Sequence, residues 1–205
     1  MTTPSYETPR KNIASILHAY GLRNGVGVEI GVKKGLFSKV LLDTWDCTQL
    51  ILVDPWMDQE NTTYDEKHDH TTDLADCLSN LKGYEGRYRI LRGLSHEVVH
   101  NIPDGLLDFV YVDGNHGYEA VKRDLRDWYP KLKVGGIMAG DDYTINSEEI
   151  IFSYAFGVKR AVDEFALLQK KNVSVNLTGD WMYRFNTKDT GEEFMLPSRN
   201  WWFVK

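Results

Sequence analysis

Cysteine is almost missing from this sequence: only Cys47 and Cys77 occur in 205 residues, and no CxxC pair is present. That excludes a disulfide framework, and without histidines at zinc-finger spacing it excludes a structural zinc site as well, so both thiols read as buried or half-buried free cysteines. Long apolar runs are lacking too, with none near the roughly 18 residues of a membrane span. The opening MTTPSYETPRKN carries no signal-like apolar stretch. A soluble, cytoplasmic protein without a membrane partner is therefore expected, and the sequons at Asn61, Asn172 and Asn176 carry little weight. Positive charge is in deficit, with 24 Lys and Arg against 30 Asp and Glu, a net charge of -6 and a pI near 5.5. Nucleic-acid binders display a basic face, so no nucleic-acid partner is expected.

Internal repeats and low-complexity tracts are absent as well. At this length a single domain with its own hydrophobic core is expected over 1–205, with an N-terminal helical segment at 1–24 and a C-terminal tail at 187–205. Short Val- and Ile-rich runs alternate with amphipathic stretches, the pattern of parallel strands joined by crossover helices. VGVEIG (26–31), QLILVD (49–54), RYRILR (87–92), LLDFVYVD (106–113) and VGGIMAGDD (134–142) read as strands. Helices are expected over 36–45, 71–81, 118–132 and 157–171. In the third, Val121, Leu125, Trp128 and Leu132 recur on one face. Two further runs, 173–177 and 181–185, flank Gly179-Asp180 and predict an antiparallel hairpin at one sheet edge. The acidic stretch 57–77 is either a solvated loop and helix face or a lid, and its His68 and His70 read as surface histidines. The terminal NWWFVK (200–205) either packs on its own domain or forms a contact between copies, leaving a homo-oligomer open.

Ligands of open parallel sheets bind beyond the carboxyl ends of the strands, so the residues just past each strand matter most. The first strand runs into VEIGVKKG, which places Glu29, Gly31 and Gly35 at a strand-to-helix turn. Glycines there permit close backbone approach, and the next helix offers free N–H groups. The third glycine of a GxGxxG turn is missing, and Glu29 would repel a diphosphate but attract an ammonium or sulfonium group. A nicotinamide-dependent dehydrogenase is thereby disfavoured. Asp54 ends the second strand, where a carboxylate can accept ribose hydroxyls. Ser95, in GLSHE after the third strand, can cap a helix, contact a ligand, or do both. Asp113 ends the fourth strand, and Asp141 and Asp142 end the fifth. Such carboxylates either cap turns separately or share a hard cation such as magnesium. His116, three residues past Asp113, is placed to face the same pocket and take a proton near neutral pH.

In order, VEIGVKKGLFS, LVDPW, GLS, VDGNHGYEAVKRDLRDWYPKLKVGGIMAGDDY and GVKRAVDEF resemble class I S-adenosylmethionine-dependent methyltransferases over about residues 25–170. The likeness is to the macrocin and rhamnosyl O-methyltransferase group, and more broadly to metal-dependent catechol and caffeoyl-CoA O-methyltransferases. It implies a Rossmann-like, seven-stranded α/β sheet, mostly parallel with an antiparallel edge hairpin and helices on both faces. It also implies that Glu29, Gly31, Gly35 and Ser38 form the ExGxxxGxxS donor loop around the methionine moiety of S-adenosylmethionine. Asp54 then matches the ribose-binding acid, Ser95 and His96 the adenine side, and Asp113 a position shared by donor and metal. Asp113, Asp141 and Asp142 match ligands of a divalent metal, with Mg2+ expected, and His116 falls at the general-base position beside Asp113. Catechol-type relatives have Lys in place of His116 and Asp-Asn in place of Asp141-Asp142, so a sugar or sugar-bearing hydroxyl acceptor is expected instead. The alternatives are a metal-independent methyltransferase acting on nitrogen or carboxyl, and a donor-binding protein without catalysis.

Overall fold

The structure, a computed structural model, describes residues 8–57, 70–143, 157–176, 182–186, 193–197 and 199–205. Helix α1 (Thr8–Ala19) leads into β1 (Val26–Ile30), α2 (Leu36–Thr44), β2 (Gln49–Asp54), α3 (Asp73–Asn80), β3 (Tyr88–Arg92) and the short α4 (Ser95–Val98). Next come β4 (Leu107–Val112), α5 (Tyr118–Trp128), β5 (Leu132–Gly140), α6 (Val158–Leu168), β6 (Ser174–Val175), β7 (Met182–Asn186), β8 (Glu193–Pro197) and β9 (Trp201–Val204). Seven strands form one sheet in the order β3-β2-β1-β4-β5-β9-β6, and β7 and β8 pair separately. β9 is antiparallel to both of its neighbours, so it alone runs against the others. Among the described residues, no helix is long and apolar enough to cross a membrane.

The strands read as unbroken apolar runs because both faces of the sheet are covered. In β2, Ile51 and Val53 enter the core under α4, α5 and α6, while Leu50 and Leu52 enter the core under α1, α2 and α3. β4 divides likewise, with Val110 and Val112 on one side and Phe109 and Tyr111 on the other. The stripe on α5 is as expected: Val121, Leu125 and Trp128 are all buried. That helix stops at Trp128, however, and Tyr129–Lys131 form a single 3-10 turn. Pro130 has no N–H for the α-helical ladder, which is why the helix ends early and β5 begins at Leu132.

The expected hairpin of 173–177 with 181–185 does not form. β6 pairs with β9, and β7 pairs with β8; Gly179-Asp180 lies outside the described residues. The competitor that wins is the C-terminal run. Trp201 and Phe203 fill one core, and Trp202 and Val204 pack against the other, so β9 buries more apolar surface beside β5 than the thin VSV segment could. The tail expected at 187–205 therefore supplies strands, with NWWFVK packed on its own domain. The candidate lid at 57–77 falls largely outside the described residues, apart from Met57 and the stretch leading into α3.

At the end of the strands opposite the glycine turn, the buried Asp108 accepts the Val26 amide and the Lys133 ammonium, each at 2.8 Å, joining β1, β4 and β5. If β9 is integral, Trp201→Ala should destabilise the protein by about 3–5 kcal/mol, as for other large-to-small changes at fully buried aromatics. Leu168→Ala, at a side chain that is 76% exposed, should stay within about 0.5 kcal/mol. Urea unfolding of the two variants checks this contrast.

Candidate active site

The order of the sheet reverses between β1 and β4, and at that point the loops after these two strands touch. The Gly31 amide donates to the Val53 carbonyl at 2.9 Å, and the Asp113 amide donates to the Ile30 carbonyl at 2.8 Å. Gly31 has φ +86°, and a Cβ there would sit 2.0 Å from the Asp113 carbonyl oxygen. Only glycine meets both conditions, so the turn after β1 lies directly on the loop carrying Asp113.

Glu29 is buried on β1, and its Oε2 accepts the Ser38 hydroxyl from α2 at 2.5 Å. Gly35, also at positive φ, is covered by Cys77, whose thiol burial pushes up to about 12, with Glu29 and Asp54 adding to the shift. That thiol is inert packing rather than a nucleophile. Asp54 grips the turn: Oδ2 accepts the Val32 and Lys33 amides, both at 2.9 Å, and Oδ1 accepts the Trp56 amide at 2.7 Å. The Trp56 indole then donates to the Lys33 carbonyl at 2.7 Å. A carboxylate has about four acceptor sites, so these three bonds leave capacity for one further donor.

Ser95 opens α4 but does not cap it; Leu94 is the cap residue, and the Ser95 hydroxyl donates to the Asp124 carboxylate on α5. His96 beside it is half-buried. Asp124 is buried, and burial raises its pKa to about 7, with Asp127 adding to the shift and the Ser95 bond and Arg123 opposing it. Asp124 belongs to none of the strand-end motifs that point to a site in the sequence. A signal is nonetheless present, since it lies three after Val121 and four before Trp128, on the apolar stripe of α5.

Past β4 and β5 the structure brings together Asp113, His116 and Asp142. The His116 Nε2 is 3.2 Å from Asp142 Oδ2 and 3.5 Å from Asp113 Oδ1, and one ligand atom from each residue lies within 4.8 Å of the others. Asp142 sits at φ +60°, and its amide donates to Asp141 Oδ1 at 2.9 Å. Asp141 therefore differs from the expected metal trio: one of its oxygens holds the Asp142 backbone, and His116 takes the third place in the grouping. Burial opposes the imidazolium, but Asp142, Asp113 and Asp141 together outweigh it and raise His116 to about 9. The loop is fixed from below. Asn115 Oδ1 accepts the Gly117 amide at 2.9 Å, and the His116 carbonyl accepts the Gly157 amide at 2.8 Å. Gly157 is obligatory for that contact, since a Cβ would meet the Tyr118 backbone nitrogen at 2.6 Å.

These separations fit a divalent ion. Adjacent ligands on an octahedral ion with bonds near 2.1 Å lie about 3.0 Å apart, close to the two histidine–carboxylate distances. Two carboxylates are hard oxygen donors that magnesium and manganese both take, and the neutral imidazole beside them has one lone pair, which can go either to an ion or to a proton.

Comparison with known proteins gives the family. A family described as a methyltransferase domain matches residues 28–143, which contain the glycine turn, Asp54, Ser95, Asp113, His116, Asp141 and Asp142. An uncharacterised protein of Sinorhizobium fredii is 28% identical over 123 residues, 60% of this chain; the matched stretch spans only 12% of that relative's length. Among solved structures, a precorrin-6y C5,15-methyltransferase of Geobacter metallireducens aligns with TM-score 0.61 and 15% identity, covering 100% of this chain and 92% of its own. A candidate caffeoyl-CoA O-methyltransferase of Staphylococcus aureus aligns with TM-score 0.66 and 13% identity, over 99% of this chain and 86% of its own. At such identities the structures establish the fold alone, whereas the family match covers more than half of the sequence. The chain belongs to that methyltransferase-domain family, and residues 28–143 form the heart of an S-adenosylmethionine-dependent methyltransferase domain.

Proposed function

We propose that this domain is a divalent-cation-assisted O-methyltransferase that moves the methyl group of S-adenosylmethionine to a hydroxyl of a small molecule, a sugar or sugar-bearing metabolite rather than a catechol. One observation carries the reading: the Asp113–His116–Asp142 cluster adjoins the glycine turn through the Gly31–Asp113 backbone contact. A donor held at the turn would place its methyl group beside acids and a base.

Glu29, Gly31, Gly35 and Ser38 would receive the methionine moiety, Asp54 would take a ribose hydroxyl with its remaining acceptor capacity, and Ser95 and His96 would flank the base. Asp113 and Asp142 would hold the cation, with Asp141 fixing the Asp142 backbone. When bound, the ion supplies Lewis-acid polarisation of the acceptor oxygen. His116 is the proton acceptor. Its high pKa depends on the negative charge of its neighbours, so once their charge is neutralised, burial dominates and favours the neutral, basic imidazole. In-line alignment of oxygen, carbon and sulfur accounts for much of the remaining acceleration.

A metal-independent variant of the reaction is favoured by a different feature: the His116 imidazolium can itself balance the carboxylates around it. Chelation separates the two readings. Loss of turnover in EDTA with an unchanged melting temperature, restored by manganese, supports the cation; full activity after exhaustive chelation supports the variant.

Saturating S-adenosylhomocysteine, at about 100 times its Kd, should stabilise the fold by about 2.7 kcal/mol and raise the melting midpoint by about 5–10 °C, with no shift from NAD. His116→Ala should lower kcat by about 10²–10⁴ while S-adenosylhomocysteine affinity stays within about threefold; equal loss of both would contradict a base role. Manganese affinity should depend on pH in a defined direction. His116 is protonated below about 9, and cation binding expels that proton, so affinity should rise by up to about tenfold per pH unit between 6 and 8, with proton release visible in different calorimetric buffers. An affinity that is flat with pH would detach His116 from the cation site.

A further inference from the structure

The Ser95–Asp124 pair lies outside the acid cluster and has no part in the methyl transfer itself. The Gly93 amide donates to the Asp54 carbonyl at 3.1 Å, so the loop carrying Ser95 is tied directly to the ribose-side acid. Asp124 reaches Ser95 from α5, the helix that begins just past His116. The pair thus bridges the loop after β3 and the helix after β4, on the flank of Asp54 away from the glycine turn. A buried acid on an apolar helix face is costly, and a hydroxyl is a modest partner for it, so packing alone does not account for the pair.

A serine hydroxyl has one proton to donate and lone pairs with which to accept, and an ionised carboxylate can only accept. While Asp124 is ionised, the Ser95 proton is committed to it and Ser95 can offer a ligand nothing but acceptor capacity. We propose that Asp124 is a positioning residue that fixes Ser95 as a hydrogen-bond acceptor, and that Ser95 thereby selects a base bearing an exocyclic amine, adenine, over one bearing a carbonyl, hypoxanthine. The inference rests on the reading that S-adenosylmethionine binds here with its base against this loop. It assigns the specificity for the base to a residue that does not touch the ligand. An O6 carbonyl facing the same oxygen would set two acceptors against each other, the kind of mismatch that polar sites reject strongly.

The test compares binding of S-adenosylhomocysteine with its deaminated analogue S-inosylhomocysteine by calorimetry on the full chain. Work at pH 8.5 keeps Asp124 ionised, above its value of about 7. The native protein should prefer the adenine compound by at least about 10-fold. Ser95→Ala and Asp124→Leu should each bring that ratio to within about threefold while still binding S-adenosylhomocysteine, and Ser95→Thr should retain the native ratio. A purely structural Asp124 would weaken both ligands equally and leave the ratio unmoved; that outcome in Ser95→Ala and Asp124→Leu overturns the proposal but keeps the donor assignment. Failure of the native protein to bind S-adenosylhomocysteine at all overturns both. Should Asp124→Leu fail to fold, the paired Ser95→Ala and Ser95→Thr ratios decide the matter by themselves.

Discussion

The site depends on one close approach: the backbone of Gly31 against the carbonyl of Asp113 at the point where strand order reverses. Two parallel strands that part company there leave a crevice, and two hydrogen bonds, Gly31 to Val53 and Asp113 to Ile30, hold its lips in register with the sheet. Any side chain at Gly31 would wedge the lips apart by colliding with rigid backbone. Glycine turn and acid cluster are therefore a single rigid unit at their junction. Geometry of this kind favours a reaction whose barrier falls mainly through alignment, since errors of an ångström between donor and acceptor are costly.

Much of this was legible in the sequence for a physical reason: parallel strands buried on both faces must be apolar throughout, and polar residues at their carboxyl ends then stand out. QLILVD and LLDFVYVD announce themselves in that way, and the acids and glycines after them fall where the sheet puts its ligands. The same rule misleads at the C-terminus. WWFV is also apolar throughout, because β9 lies inside the sheet, yet without a crossover helix before it nothing local shows which strand it joins. Pairing is a competition among segments: the VSV run joins the bulkier β9, which is distant in sequence, while its assumed hairpin partner pairs with β8. Asp124 is hidden for the opposite reason. An acid in a helix full of charges looks like solvated surface until its position on the apolar stripe is counted.

The acid cluster shows how composition becomes electrostatics. Spacing alone placed three aspartates near each other; it could not tell which oxygen each would turn toward the centre. Asp141 gives one to the amide of Asp142, whose positive φ swings the next side chain toward His116. The imidazole then sits between carboxylates rather than opposite them. Burial and negative charge act on it in contrary directions, so its protonation reports the charge state of its neighbours.

Other acids in and around the core are answered differently. Glu29 accepts a serine hydroxyl, Asp54 three amides, and Asp124 a serine hydroxyl, whereas Asp108, at the opposite end of the strands, is met by the ammonium of Lys133. Neutral donors are weaker partners for a carboxylate than lysine or arginine, and their use on the ligand side carries a stability cost. The gain is in the field that remains. A carboxylate bound by neutral dipoles keeps its net negative charge, which under the proposed function would attract a sulfonium cation; a lysine at the same place would cancel that attraction. At the opposite end of the strands a full ion pair, Asp108 with Lys133, ties three central strands together. The contrast is confined to these four acids: the buried Asp73 on α3 is met by His70 at 3.0 Å and, more loosely, by Lys34 of the glycine turn.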